Sequence, residues 1–259
     1  PCDAHLIGKD ILRFHGVYWP SFLMSMKMDL PKKIVAHGWW TIEGQKMSKS
    51  LGNVIDPNEV VKTYGVDEFR FFLFREVPFG LDGDFSRKAL VHRLNGDLAN
   101  DFGNLASRST NMIEKFLGGK IARPDAKNSA DELVVEQIGR SVADYVREME
   151  AFGYHKALQS VFDISGTLNR YIDSEAPWKL AKENDGRLTT VLFNVWNGLR
   201  IATMLLYPFM PSKCELLWNA IGLRKPLSAV TFHDEKGFYF TEELGLIGKM
   251  KPLFPRIEG

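Results

Sequence analysis

Apolar positions change their period along this chain, and the changes divide it. From Asp10 to Trp19, Ile11, Phe14, His15 and Tyr18 recur at i, i+3, i+4 and i+7. That spacing predicts a helix with all four on one face and a boundary or kink near Pro20. Lys33 to His37 (KIVAH) is an apolar run of strand length, and Trp39 to Ile42 alternates into Glu43-Gly44, a hairpin-like turn. Asp56-Pro57 predicts a helix start, because the carboxylate accepts from a free N–H of the first turn and proline lacks an N–H that would go unpaired there. This helix stops at Gly65. A second, over Asp67 to Arg75, buries Phe71, Phe72 and Leu73, and residues 78–85 form a turn-rich connector.

Beyond residue 89 the helical period dominates. Leu90, Leu94, Leu98, Leu105 and Phe116 stripe one long segment that ends at Gly118-Gly119. Leu133, Ile138, Val142, Val146 and Met149 stripe a second, and Leu158, Val161, Phe162, Leu168 and Ile172 a third. Leu188, Leu192, Val195, Leu199 and Leu206 stripe a fourth, and a shorter helix follows Pro211. Short connections favour antiparallel neighbours, so a mainly α fold with an antiparallel helix bundle is expected. Residues 225–259 are a tail with a strand-like patch at Phe238-Tyr239-Phe240.

Composition adds bounds. The 259 residues have room for one large domain or a few small ones, and 45% hydrophobic with 25% charged residues is a folded composition. A formal charge of +1 gives no global basic field, so any nucleic-acid contact must come from local patches. Cys2 and Cys214 form no C-x-x-C pair, which argues neither a zinc site nor a disulfide framework and fits a reducing cytoplasm. No apolar run reaches the roughly 18 residues of a membrane span, and no secretory leader is expected. The start at Pro1, within a segment that reads as structured, is expected of a fragment of a longer chain or a processed subunit.

Three sets of residues carry candidate chemistry. Lys46 and Lys49 lie three apart among Met47, Ser48, Ser50, Gly52 and Asn53. Two ammonium charges with small neighbours suit polyphosphate, since backbone N–H groups can then approach phosphate oxygens; a solvated basic turn is the competing reading. Asn104 and Arg108, four apart on the first long helix, project from one face while Leu105 turns to the core. Trp178 follows a helix-starting proline, where an indole can stand clear of the surface and stack on an unpaired base. Asn169 and Arg170 are companions, and Lys62, Arg70, Arg75 and Arg87 are candidate phosphate contacts.

The pentapeptide Lys46-Met47-Ser48-Lys49-Ser50 resembles the signature of class I aminoacyl-tRNA synthetases, and His5 to Asp10 with Phe14-His15 resembles the methionyl-tRNA synthetases. The resemblance implies the carboxy-terminal part of a Rossmann-type α/β catalytic domain over residues 1–50 and a small α/β connector over 51–88. An anticodon-binding bundle over 89–232 and a tail over 233–259 docking back toward the catalytic side complete the chain. It implies ATP, with Mg2+, gripped by Lys46, Met47, Ser48 and Lys49 over Gly8 and Asp10, with Lys46 and Lys49 catalytic. Methionine would lie against Ile11, Phe14, His15 and Tyr18. Asn104, Arg108 and Trp178 would read the anticodon of tRNA(Met). The family's first signature and its zinc-bearing insertion are not in this chain, so a second chain carrying the missing amino-terminal half is an expected partner, and no zinc site is expected here. A tRNA-binding module without catalysis, and a valyl, leucyl, isoleucyl or cysteinyl enzyme, remain open at this point.

Overall fold

The computed structural model describes residues 2–42, 44–48, 52–124, 127–232 and 244–258. Two strands, β1 (Ala4–Gly8) and β2 (Lys33–His37), pair in parallel, Ala4 opposite Lys33 through Gly8 opposite His37. Parallel neighbours need a crossover, here a helical stretch made of a 3-10 turn (Lys9–Ile11), a π-turn (Phe14–Tyr18) and α1 (Trp19–Ser25). This corrects the helix expected over Asp10 to Trp19. Pro20 falls in the first turn of α1, which runs on to Ser25; the wider turn before it, closed by Trp19 N–H to Phe14 O, accommodates a residue that cannot donate.

A second small sheet follows. β3 (Trp40–Ile42) is its centre, antiparallel to β4 (Gln45–Lys46) and parallel to β5 (Gly83–Phe85). The β3–β4 hairpin was legible in the sequence, whereas β5 lies in the stretch expected to be turns. Between the two sheets the chain passes hard against the 81–82 backbone: a Cβ on Gly38 would sit 2.1 Å from the Leu81 carbonyl oxygen.

The helices begin at α2 (Pro57–Tyr64), where the Asp56 side chain accepts from Asn58 N–H at 2.8 Å, and the chain turns at Gly65 with φ 104°. In α3 (Val66–Glu76) Phe71 and Phe72 are fully buried and Leu73 partly so. The first long helical path has three parts: α4 (Arg87–Arg93), a π segment (Leu94–Phe102) and α5 (Gly103–Leu117), ended by Gly118 in the left-handed region. Then come α6 (Ser129–Glu150), α7 (Tyr154–Glu175), α8 (Pro177–Glu183), α9 (Arg187–Leu206) and α10 (Pro211–Ala220). On α6 the core position is Val134, and Leu133, expected in the stripe, is 51% exposed.

The bundle is organised around α9. Every residue from Thr190 to Leu206 is buried, and a helix buried all round is one surrounded by others; α5, α6, α7, α8 and α10 all pack on it. The core continues without a break into Val60, Phe71, Phe72 and Phe85, so the segment 51–88 shares it. Arg70 donates to the Phe209 and Pro208 carbonyls at 3.0 and 2.8 Å. Arg75 donates to Asp97, the His155 carbonyl and Gln159. These two arginines, considered as phosphate contacts, instead tie α3 to the bundle; Lys62 and Arg87 are exposed. In the tail, Ile247, Leu253 and Phe254 are buried, Ile247 N–H donates to Gly119 O, and Asn95 bonds both backbone groups of Ile257. Phe238-Tyr239-Phe240 lies outside the described residues. Among the described residues no helix is long and apolar enough to cross a membrane.

Candidate active site and nucleic-acid interface

Gly8 closes β1, and the 3-10 turn after it places Lys9 and Asp10 at the carboxyl edge of the parallel pair, where ligands of open α/β sheets bind. A Cβ on Gly8 would come within 2.6 Å of the Asp10 carboxylate. Trp39, between β2 and β3, organises what faces this edge. Its Nε1–H donates to Asp10 Oδ1 at 3.3 Å, and the ammonium groups of Lys9 and Lys46 lie 4.3 and 4.4 Å from its ring centroid. Such contacts hold a cation by the ring's negative face while leaving its N–H donors usable. Lys9 also bonds both oxygens of Asp82 at 2.6 Å. That hydrogen bond, with one from Trp39 N–H, holds the Asp82 carboxyl below its ordinary pKa. Beyond Lys46 the loop is closed at its base by Asn53, whose Oδ1 accepts from Ser48 N–H at 2.8 Å and whose Nδ2 donates to Lys46 O at 3.3 Å. Met47 and Ser48 are half-buried. Lys49 lies outside the described residues.

Beside this edge opens a hollow of about 580 Å³ lined by His5, Phe14, His15, Tyr18, Trp19 and Phe22. Phe14 and Tyr18 meet edge to face at 5.6 Å, and the His5 and His15 rings lie 5.8 Å apart. His15 Nδ1 is 3.1 Å from the Ile11 carbonyl, which can only accept, so Nδ1 carries the proton and Nε2 of the neutral ring is an acceptor. Ile11, expected in this lining, is not part of it; its contribution is the carbonyl that orients His15. The π-turn from Phe14 to Tyr18 shifts the side chains away from the regular i, i+3, i+4 face that the sequence spacing assumes.

At the other end of the molecule Asn104 is exposed on α5, Leu105 is fully buried and Arg108 follows one turn on. Arg108 donates to Asp173 at 2.9 Å, with Asn169 Oδ1 at 3.5 Å. Asn169 in turn donates to Asp101, which also accepts from Ser165 at 2.6 Å. Burial raises the Asp101 pKa, the Ser165 bond partly offsets this, and the nearby Asp97 charge adds to it. Trp178 stands on the first turn of α8, 39% exposed, and α8 packs beside α5. Asn104, Arg108 and Trp178 therefore lie on neighbouring helices, although seventy positions separate Arg108 from Trp178 in the chain. Arg170 is exposed, bonded to Thr167 Oγ1.

Two family models match in succession: "tRNA synthetases class I (M)" over residues 3–110 and "Anticodon binding domain of methionyl tRNA ligase" over residues 122–234. The chain belongs to the methionyl-tRNA synthetase family. The methionine-tRNA ligase of Fusobacterium nucleatum is 42% identical over 257 residues, 98% of this chain and 40% of that protein. That of Caldanaerobacter subterraneus is 43% identical over 263 residues, 100% of this chain and 40% of that one. Mycobacterium tuberculosis methionyl-tRNA synthetase in complex with methionyl-adenylate superposes with a TM-score of 0.90 at 39% identity, over 99% of this chain and 50% of the other. The chain thus spans between two fifths and half of the length of these relatives.

Membership of this family sets aside the valyl, leucyl, isoleucyl and cysteinyl readings. Of the residues singled out in the sequence, the structure brings Asp10 and Lys46 to one tryptophan, Phe14, His15 and Tyr18 to one hollow, and Arg108 to the neighbourhood of Trp178. Sequence reasoning missed Trp39 and Asn53. For Trp39 the available signal was a large aromatic with a polar edge directly before a strand and next to a glycine. For Asn53 it was an amide just beyond the second lysine.

Proposed function

We propose that this chain serves the ATP-dependent activation of methionine and its transfer to tRNA(Met), contributing the lysine loop, part of the adenosine and methionine sites, and the helices that read the anticodon. The observation that carries this is the convergence of Asp10 and Lys46 on Trp39 beside an aromatic hollow. In this reading residues 1–50 are part of a Rossmann-type catalytic domain, 51–88 link it to the bundle of 89–232, and 233–259 form the tail. The Asp10 carboxylate accepts from ribose hydroxyls, and the hollow takes the thioether side chain of methionine. The methionine carboxylate attacks the α-phosphorus of ATP, which enters as its Mg2+ complex, and pyrophosphate leaves in line. The developing charge is offset by Lys46, with Lys49 assigned the same role on the sequence motif alone. A ribose hydroxyl of the terminal adenosine of the tRNA then takes methionine from the adenylate, and AMP leaves, in the cytoplasm. Asn104 and Arg108 offer hydrogen bonds to base edges, and Trp178 a stacking surface.

In a full-length enzyme carrying these residues, pyrophosphate exchange into ATP is expected to depend on methionine alone among the standard amino acids. Lys46→Ala is expected to slow that exchange by about 100-fold with methionine binding nearly unchanged. Exchange at the parent rate would remove Lys46 from the chemistry.

One observation favours a second reading for the chain in isolation. Leu6, Phe14, Val17, Phe22, Met24 and Leu30 are all exposed around a two-stranded sheet, a face that fits the rest of a catalytic domain, on the same or a second polypeptide. Without that cover the chain would bind tRNA and not activate methionine. Exchange activity by the isolated chain would dismiss this reading.

A further inference from the structure

Trp178 does not hold itself in place. It follows Ala176, which ends α7 and starts α8 in the left-handed region, φ 44° and ψ 61°. A residue with a Cβ is strained in that conformation, so something must impose it. The neighbouring residue, Glu175, is the last of α7, and its carboxylate is gripped by Arg187 at the start of α9 through Nε at 2.8 Å and through Nη2. The other side of the same guanidinium forks onto Asp131, Nη1 to Oδ2 at 2.9 Å and Nη2 to Oδ1 at 3.2 Å. Asp131 is itself held on several sides. Its side chain is fully buried, it closes the capping box of α6 with Asn128, and it accepts from Tyr171 and Asn194.

We infer that Arg187 is a positioning residue for anticodon recognition: by clamping Glu175 against Asp131 it imposes the left-handed turn at Ala176 that aims Trp178 at the tRNA. This rests on the reading of Trp178 as a stacking surface. The clamp joins the starts of α6 and α9 to the end of α7, so the direction of α8 is set by the bundle core and not by the short α8 itself. Burial works to lower the Arg187 pKa, but the bonds to Asp131 and Glu175 outweigh it and raise it, so the guanidinium of the clamp stays charged.

The alternative is that the clamp merely staples the bundle, and the two differ in what glycine does at 176. Glycine adopts the left-handed turn at no steric cost, so it relieves the need for an imposed turn but replaces no ion pair. Affinity of the whole chain is measured for a tRNA with the CAU anticodon and for the same tRNA with its first anticodon base changed. Melting curves establish that each variant is folded at the assay temperature. Trp178→Ala is expected to weaken CAU binding by about 10- to 100-fold, and Glu175→Gln by about 10-fold. Adding Glu175→Gln to Trp178→Ala is expected to cost less than about twofold more, since both act through one side chain. Glu175→Gln with Ala176→Gly is expected to return to within about threefold of the parent. If Glu175→Gln melts too low, Arg187→Lys, which keeps the charge and loses the planar fork, replaces it.

Additive losses, an unrescued double variant, or an equal loss for both tRNAs would overturn the inference. Weakened binding by Trp178→Ala with none by Glu175→Gln overturns the clamp alone. Unchanged binding by Trp178→Ala overturns the stacking role and the clamp's purpose together.

Discussion

The two ends of this molecule bury apolar surface in opposite ways. Along α9 every residue from Thr190 to Leu206 is buried: Trp196 is fully so, and even its indole N–H is satisfied by the Ile221 carbonyl at 2.9 Å. Around β1 and β2 the reverse holds, with Phe14 58% and Phe22 62% exposed and only Ile7 and Leu23 buried along residues 4–25. Apolar surface is driven out of water with the same strength in both places. The bundle satisfies that drive from within. The front of the molecule does so only against something more, which is the expected state of a half-site whose substrates and remaining walls come from elsewhere. On the proposed reading the bundle is the part that recognises tRNA, and its core closes without a partner.

The comparison is tested most sharply by truncating one aromatic at each end. Trp196→Ala empties the centre of the core and orphans a carbonyl, so a loss of about 3–5 kcal/mol is expected in denaturant melts. Phe22→Ser, of comparable change in polarity, is expected to shift stability by less than about 0.5 kcal/mol. Similar losses for the two would mean that the front is packed in solution and that the asymmetry is wrong.

A smaller effect is expected at the polar heart of the bundle. Asp131→Asn keeps the volume but removes the charge that Arg187 faces, leaving a guanidinium with one carboxylate and Tyr171 with a weaker acceptor. A cost of about 3 kcal/mol is expected, the usual range for breaking a buried pair. Glu136→Gln, at an exposed pair with Arg140 on the same helix, serves as the control and is expected to cost at most about 0.5 kcal/mol. Equal costs for the two would show that the Asp131 network is no more than surface decoration.

The same contrast explains what was legible in the sequence. The bundle could be read because its stripes are local: Leu158, Val161, Phe162, Leu168 and Ile172 are all buried as their spacing requires. Where a stripe failed, the arithmetic was at fault. Leu133 lies five residues before Ile138, off its face, while Val134, Ile138 and Val142 are spaced by four. The π segment also had a trace, since Leu90, Leu94, Leu98 and Phe102 repeat every four residues, slower than an α-helical 3.6. β1 and β5 had none, because their strands are defined by partners some thirty to forty residues away. The candidate site could be proposed from sequence where a motif is contiguous, as at Lys46 to Ser48. It was illegible where residues act across the chain, as Trp39 does between Asp10 and Lys46, or Arg187 between Asp131 and Glu175.

The smallest effect expected is a pH dependence that belongs to the bundle. His155, at the start of α7, has its Nδ1 buried without a hydrogen-bond partner among the described residues, and its carbonyl accepts from Arg75. Burial lowers its pKa below the ordinary 6.5, the charges of Lys156 and Arg75 add to this, and Glu148 opposes them. The unfolded chain therefore takes up this proton more readily than the folded one. Stability from His155 is present above the ordinary value and is lost as pH falls through the lower folded one. Asp131 is also lowered: burial would raise it, but the bonds from Arg187 and Tyr171 prevail. Its contribution is present above the ordinary 3.8 and goes only as pH falls below that. Acid melting should thus show two windows, a shallow decline of Tm, on the order of 2 °C, below about pH 6.5, and a steeper one below about pH 4. His155→Asn is expected to flatten the first and leave the second, and Asp131→Asn to do the opposite. A first window that survives His155→Asn would assign the decline to another group, and would leave the His155 imidazole as a packed side chain with no electrostatic role.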